Sequence, residues 1–151
     1  MGGRSVTLSE LQAQREGKTV VFTNGVFDIL HAGHVDYLEK ARALGDYLVV
    51  ALNTDATVQA LKGPTRPVNH LEDRLRVISA LRCVDCAVWF SEQTPEAIIA
   101  EIRPDIHVKG GDYTVESLPE SKIVLGYGGK VVIMPTLEGR STTSTIERMQ
   151  R

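Results

Sequence analysis

The stretch Val20-Val21-Phe22-Thr23-Asn24-Gly25-Val26-Phe27-Asp28-Ile29-Leu30-His31-Ala32-Gly33-His34 constrains this chain more than any other. Its first half is a short Val-rich apolar run, which reads as a strand buried on both faces. The chain then passes through Gly25 and opens a helix near Ala32, continued by Val35, Leu38 and Ala41. Gly45 after Leu44 is expected to close that helix as a left-handed cap. A strand, glycine turn and helix in this order aim backbone N–H groups at an anion beyond the strand's carboxyl end. His31 and His34 share one face of the first helical turn, where both imidazoles could donate to one phosphate group. The same spacing admits a metal site with Asp28 as third ligand, or a pair that merely supports the fold. The strand, Asp28 and Gly33 taken together favour the phosphate.

Downstream, strands and helices alternate. Tyr47 to Asn53 reads as a second buried strand, and Asp55 is expected to cap a short helix running to Leu61. Glycine and two prolines make Lys62-Gly63-Pro64-Thr65-Arg66-Pro67-Val68-Asn69 a loop, and its two cations suit a phosphate clamp. Leu71, Leu75, Ile78 and Leu81 mark an amphipathic helix with Arg74 and Arg76 on its other faces. Cys83 to Phe90 reads as a strand. Thr94 at the cap and Pro95 in the first turn start a helix that Pro104 stops. Asp105 to Lys109 is the fourth strand, ending at Gly110-Gly111-Asp112-Tyr113, and His107 within it is expected to be structural. Ile123 to Leu125 lies in a helix, Gly128-Gly129 turns the chain, and Lys130 to Met134 is the fifth strand. Ser141 to Thr145 leads into a final helix through Ile146 and Met149. With Arg140 before it, that serine- and threonine-rich start forms a second anion-binding helix terminus.

This alternation implies an α/β architecture, a doubly wound five-stranded parallel sheet covered on both faces. One domain over residues 1–151 is expected, with 1–18 a leader and a short helix capped at Thr7 and closed by Gly17. Met1 to Ser5 is expected to be disordered. No G-x-G-x-x-G follows the first strand, which disfavours a nicotinamide site. A net charge of −2 gives no basic field for nucleic acid. No run of eighteen apolar residues and no signal-like start point to a membrane or to secretion, so a cytoplasmic setting is expected. Cys83 and Cys86, on opposite faces of a strand, could not bridge, and no second cysteine pair completes a zinc set.

The run Gly25-Val26-Phe27-Asp28-Ile29-Leu30-His31-Ala32-Gly33-His34 resembles the G-x-F-D-x-x-H-x-G-H signature of the nucleotidyltransferase superfamily that includes glycerol-3-phosphate cytidylyltransferase. Lys62-Gly63-Pro64, Asp73-Arg74, Lys109-Gly110-Gly111-Asp112-Tyr113 and Glu138-Gly139-Arg140-Ser141-Thr142-Thr143 extend the likeness. As a set they are similar to the heptose 1-phosphate adenylyltransferases of ADP-heptose synthesis. The resemblance implies a Rossmann-like nucleotidyltransferase fold, ATP and a sugar phosphate as substrates, Mg²⁺ on the triphosphate and a homodimer. It implies catalytic roles for His31, His34, Lys62 and Arg140. Nucleotide contacts fall to Thr23, Asn24, Gly25, Phe27, Asp28, both histidines, Lys109, Gly110, Asp112, Arg140, Ser141, Thr142 and Thr143. Lys62, Arg66, Arg74 and Tyr113 are expected at the sugar phosphate, and Asp28 as a weak metal contact. Asp112, Tyr113 and Glu116 are available for sugar hydroxyls. Two alternatives stand: CTP with glycerol 3-phosphate, and a nucleotide-binding module without turnover. The kinase half of bifunctional members is expected to be a separate protein.

Overall fold

The computed structural model describes residues 4–5, 7–135 and Met149. Six strands are described: β1 (Arg4–Ser5), β2 (Val20–Gly25), β3 (Tyr47–Asn53), β4 (Cys86–Phe90), β5 (Ile106–Gly110) and β6 (Lys130–Met134). The helices are α1 (Leu8–Gln14), α2 (Ala32–Arg42), α3 (Asp55–Lys62), α4 (Leu71–Ser79), α5 (Glu96–Ile102) and α6 (Ser121–Gly126). The sheet runs β1-β4-β3-β2-β5-β6, and every pairing is parallel. The five expected strands therefore form, and Arg4–Ser5 adds a short edge strand against Cys86 and Ala87 where a disordered leader was expected.

Alternate residues of each strand feed two cores. Val20, Phe22, Tyr47, Val49 and Ala51 pack with Leu11 of α1, Ile99 and Ile102 of α5 and Val124 of α6. Val21, Leu48, Val50 and Leu52 pack on the other face with Leu38 and Ala41 of α2 and Ile78 of α4. All seven residues of β3 are buried, as a central parallel strand demands. The chain leaves β2 toward β3 and β4, then crosses back to β5 and β6 on the other side. The strand order thus reverses between β2 and β5, where ligands of open α/β sheets bind.

Local expectations met several corrections. Gly45 has no left-handed backbone: α2 ends at Arg42 with Ala43 as a right-handed cap. Gly45 is needed for space, since a Cβ there would lie 2.7 Å from the Thr19 carbonyl oxygen and 2.8 Å from a Val21 methyl carbon. Thr54, not Asp55, occupies the N-cap of α3, and Pro95, not Thr94, that of α5. Strand β4 begins at Cys86; Cys83 sits in the preceding turn, held by the Val84 N–H on the Leu81 carbonyl. Both cysteines are free thiols whose pKa burial pushes up. The final helix and Glu138 to Thr143 lie outside the described residues, Met149 apart.

Candidate active site

A cavity of about 600 Å³ opens at the carboxyl end of the sheet, astride β2. Its centre is the turn into α2. His31 is the N-cap of that helix, and its Nδ1 accepts the Gly33 N–H at 3.0 Å. His34, three residues on, returns the contact, its Nδ1 accepting the His31 N–H at 3.3 Å. The two histidines thus form a reciprocal capping box, a role usually filled by serine or threonine with glutamate. An imidazole whose Nδ1 accepts is neutral with its proton on Nε2, so both rings are Nε2–H donors. The rings stack at 4.0 Å between centroids, and both line the cavity. Burial, then the neighbouring His31, pushes the His34 pKa down to about 4. A pair of neutral donors at a helix start suits an anion that gains charge in a transition state.

The turn before the helix is held from several directions. Phe27 adopts φ +48, and its ring meets His34 edge-on at 5.4 Å. Gly25 must be glycine because a Cβ there would lie 2.8 Å from the Phe27 ring. Asp28 is 4% exposed and its carboxylate is fully engaged. It accepts from Arg66 Nε at 3.0 Å, from the Val68 N–H at 2.8 Å and from the Asn69 N–H at 2.8 Å. Asn69 Nδ2 also donates to the Asp28 carbonyl, at 2.8 Å. Burial alone would raise the Asp28 pKa, but the Asn69, Val68 and Arg66 donors outweigh it and hold the carboxyl below its ordinary range. Asp28 is thus the tether of the basic loop, and it does not line the cavity. Among the described residues no group of three or more His, Cys, Asp or Glu could hold a metal ion. Asp28, expected as a metal or nucleotide contact, here spends its oxygens on Arg66, Val68 and Asn69.

Arg74, expected at the sugar phosphate, is also engaged within the protein. It is 1% exposed, with Nε donating to the Asn69 carbonyl at 2.9 Å and Nη1 to the Val26 carbonyl at 2.9 Å. Its Nη2 meets the Asp55 carboxylate at 2.7 Å, so the guanidinium braces the turn from behind and does not line the cavity. Thr23 is fully buried, its hydroxyl 2.6 Å from the Tyr37 phenol, which donates to the Val108 carbonyl at 3.1 Å. That chain pins α2 across β2 and β5. Asp112 stands exposed, outside the cavity wall. Arg140, Ser141, Thr142 and Thr143 lie outside the described residues.

The remaining expected residues do gather. Asn24, Gly25 and Phe27 line the centre; Lys62 and Arg66 line one side, and Lys109, Gly110 and Tyr113 the other. Over β5 and β6 the wall is largely apolar, built from Tyr113, Leu118, Pro119, Met134 and Pro135. Lys109 lies 5.2 Å from the Tyr113 ring centroid, and burial lowers its pKa while Glu120 pulls it back. Glu120 closes this side, paired at 3.0 Å with His107 Nε2; both are buried. Burial opposes its charge, yet His107 and then Lys109 hold the Glu120 carboxyl below its ordinary range. His107, expected to be structural, is fully buried within β5. Over β3 and β4 the wall is polar: Asn53, Lys62, Gln93 and Thr94. Sequence reasoning missed Asn53, Gln93, Tyr37 and Glu120. A strand's last residue at the carboxyl edge of a parallel sheet was the one signal that pointed to Asn53.

Residues 22–148 match the family described as Cytidylyltransferase-like. The chain belongs to that family. It is 54% identical over 136 residues to the Bifunctional protein HldE of Syntrophotalea carbinolica, covering 90% of this chain and 28% of that protein. With the HldE protein of Azotobacter vinelandii the identity is 47% over 151 residues, covering 100% of this chain and 32% of the relative. The chain therefore spans about a third of the length of these curated relatives. Among solved structures, the lipopolysaccharide core biosynthesis protein of Thermoplasma volcanium superposes with a TM-score of 0.66 at 33% identity, over 80% of this chain and 98% of that one. Pantothenate synthetase of Thermus thermophilus shares the fold at a TM-score of 0.64 and 18% identity, over 95% of this chain and 70% of its own.

Proposed function

We propose that this chain transfers AMP from ATP to D-glycero-β-D-manno-heptose 1-phosphate, giving ADP-heptose and pyrophosphate for a surface-polysaccharide precursor. The carrying observation is the histidine capping box, two neutral Nε2–H donors side by side at a helix start in the centre of the cavity. A phosphate oxygen of the sugar attacks the α-phosphorus of ATP, and the bond to the pyrophosphate oxygen breaks in line. Such transfer needs positioning and charge neutralisation more than covalent help. His31 and His34 donate to the α-phosphate oxygens as charge builds there. Lys62 and Arg66 on one side and Lys109 on the other neutralise the remaining phosphates, with Arg140 and Ser141 to Thr143 assigned to the triphosphate by the motif alone. The apolar wall of Leu118, Pro119, Met134 and Tyr113 takes the flat base.

The described residues offer no acidic ligand set, so Mg²⁺ enters this reading only as the counter-ion of the triphosphate. The kinship with HldE proteins and with a lipopolysaccharide core biosynthesis protein supports the heptose acceptor. A homodimer in the cytoplasm completes the reading, on the family resemblance; no described helix is long and apolar enough to cross a membrane. The test is pyrophosphate release with ATP or CTP against heptose 1-phosphate, glycerol 3-phosphate and a hexose 1-phosphate. ATP with heptose 1-phosphate is expected to be fastest. Faster turnover of CTP with glycerol 3-phosphate would refute the substrates, and no release with any pair would refute the reaction.

A further inference from the structure

The sheet places two carboxamides together at the wall of the cavity. Along β2, Val20 and Phe22 belong to the core under α5, so Asn24 points to that same face. Along β3, Tyr47, Val49 and Ala51 belong to that core, so Asn53 points there too. Asn24 pairs in register with Ala51, which sets Asn53 one step further along the shared face. Both residues line the cavity below the Gln93-Thr94-Pro95 loop that leads into α5. The histidines stand on α2, which packs on the opposite face.

The fold leaves the Asn24 carboxamide oxygen, Oδ1, buried and without a hydrogen-bond partner. Asn53 is only 5% exposed, and what exposure it has is to the cavity it lines. Buried polar groups are almost always paired, so each exception asks for an explanation. The neighbouring turn shows what satisfied groups look like here, with the Asp28 carboxylate and the Arg74 guanidinium both held by several partners.

We propose that Asn24 and Asn53 form a hydroxyl-reading subsite for the acceptor sugar. This rests on the adenylyltransferase reading and names the residues that select its acceptor. A carboxamide offers an acceptor and two donors without charge, which matches a hydroxyl that both gives and accepts. It does not match a phosphate, for which Lys62 and Arg66 lie in the same cavity. The nucleobase has its own apolar wall across β5 and β6. Polar groups left bare until the ligand arrives are what lets a site reject analogues that lack a hydroxyl. Asn24 was expected at the nucleotide, and the shared face with Asn53 reassigns its side chain.

The test uses Asn24→Leu and Asn53→Leu in the full chain. Replacing a carboxamide that faces the cavity by an apolar group of similar size is expected to leave the melting temperature unchanged or higher. Each variant should raise KM for the acceptor about 10-fold, the loss of one hydrogen bond, with KM for ATP unchanged. Acceptor KM unchanged, or ATP KM rising in its place, would overturn the proposal. So would a loss of melting temperature with unaltered acceptor kinetics, since the amide would then be structural. If a leucine variant fails to fold, alanine at the same position replaces it under the same criteria. The assay runs on whichever of the three acceptors the wild type turns over. Wild-type protein that turns over none overturns the adenylyltransferase reading and this proposal with it. Normal wild-type turnover with unaltered variants overturns this proposal alone.

Discussion

Substituting Asp28→Asn removes one charge from a side chain that binds three donors. The amide keeps the shape but has only one oxygen, so its NH₂ must face the Val68 N–H, the Asn69 N–H or Arg66 Nε, all now at 2.8–3.0 Å from the carboxylate. A hydrogen bond to a charged group contributes about 1.5–3 kcal/mol, and a buried ion deprived of its partner costs about 3–5 kcal/mol. Partial compensation by the amide oxygen brings the expected loss to about 3 kcal/mol. In a chain of this size each kcal/mol moves the melting point by about 2–4 °C, so Asp28→Asn should melt roughly 6–12 °C lower. The sign of the pH dependence follows from the lowered native pKa of Asp28. The unfolded chain takes up its proton first as pH falls, so the contribution is fully present above the ordinary value of 3.8 and is lost as pH drops through the native value. The gap between wild type and variant should therefore hold from about pH 5 to 8 and close in stronger acid. Calorimetric melts across that range decide it. A shift under about 2 °C at neutral pH would refute the tether.

Two further outcomes separate fold from chemistry. His34→Ala should lower kcat by about 10²–10³-fold in the pyrophosphate-release assay. With the His34 pKa near 4, the wild-type rate should show no inflection from this group between about pH 6 and 8; one near the ordinary histidine value of 6.5 that disappears in His34→Ala would refute the neutral-donor assignment. Arg74→Met should destabilise by about 2–4 kcal/mol, because the Val26 and Asn69 carbonyls lose their donor, while the part-exposed Asp55 carboxylate keeps the Leu71 N–H and His70. Arg74→Met that melts like wild type but loses substrate affinity would restore Arg74 to the binding site.

What the sequence revealed divides along a physical line. Periodicity and punctuation are local, so the Val20 strand, the helix through Leu38 and the fully buried Tyr47 strand could be read directly. The histidine pair was legible because its spacing is a single helical turn. Partner choice across long separations was not legible. Asp28 and Arg74 carry charges that suggest ligands, yet they meet loop atoms about forty to fifty residues away, and no local pattern encodes those contacts. Gly45 was misread because a glycine after a helix suggests a backbone conformation, whereas here it makes room for Thr19. Asn53 was overlooked because a strand-ending asparagine is a common turn signal, and only the sheet order sets it beside Asn24.

The histidine capping box has a consequence for descent. Each ring has one edge that serves the helix and another that serves the cavity, so selection on folding alone has a use for both residues. A duplicated copy relieved of its reaction would still lose stability by discarding His31 outright. The drift open to it would run toward asparagine, aspartate, serine or threonine, which cap a helix as well and lack the imidazole donor. In a lineage that has abandoned turnover, position 31 is therefore expected to change type while remaining a cap. The lysine at position 62, which has no comparable duty to the fold, should be the earlier casualty.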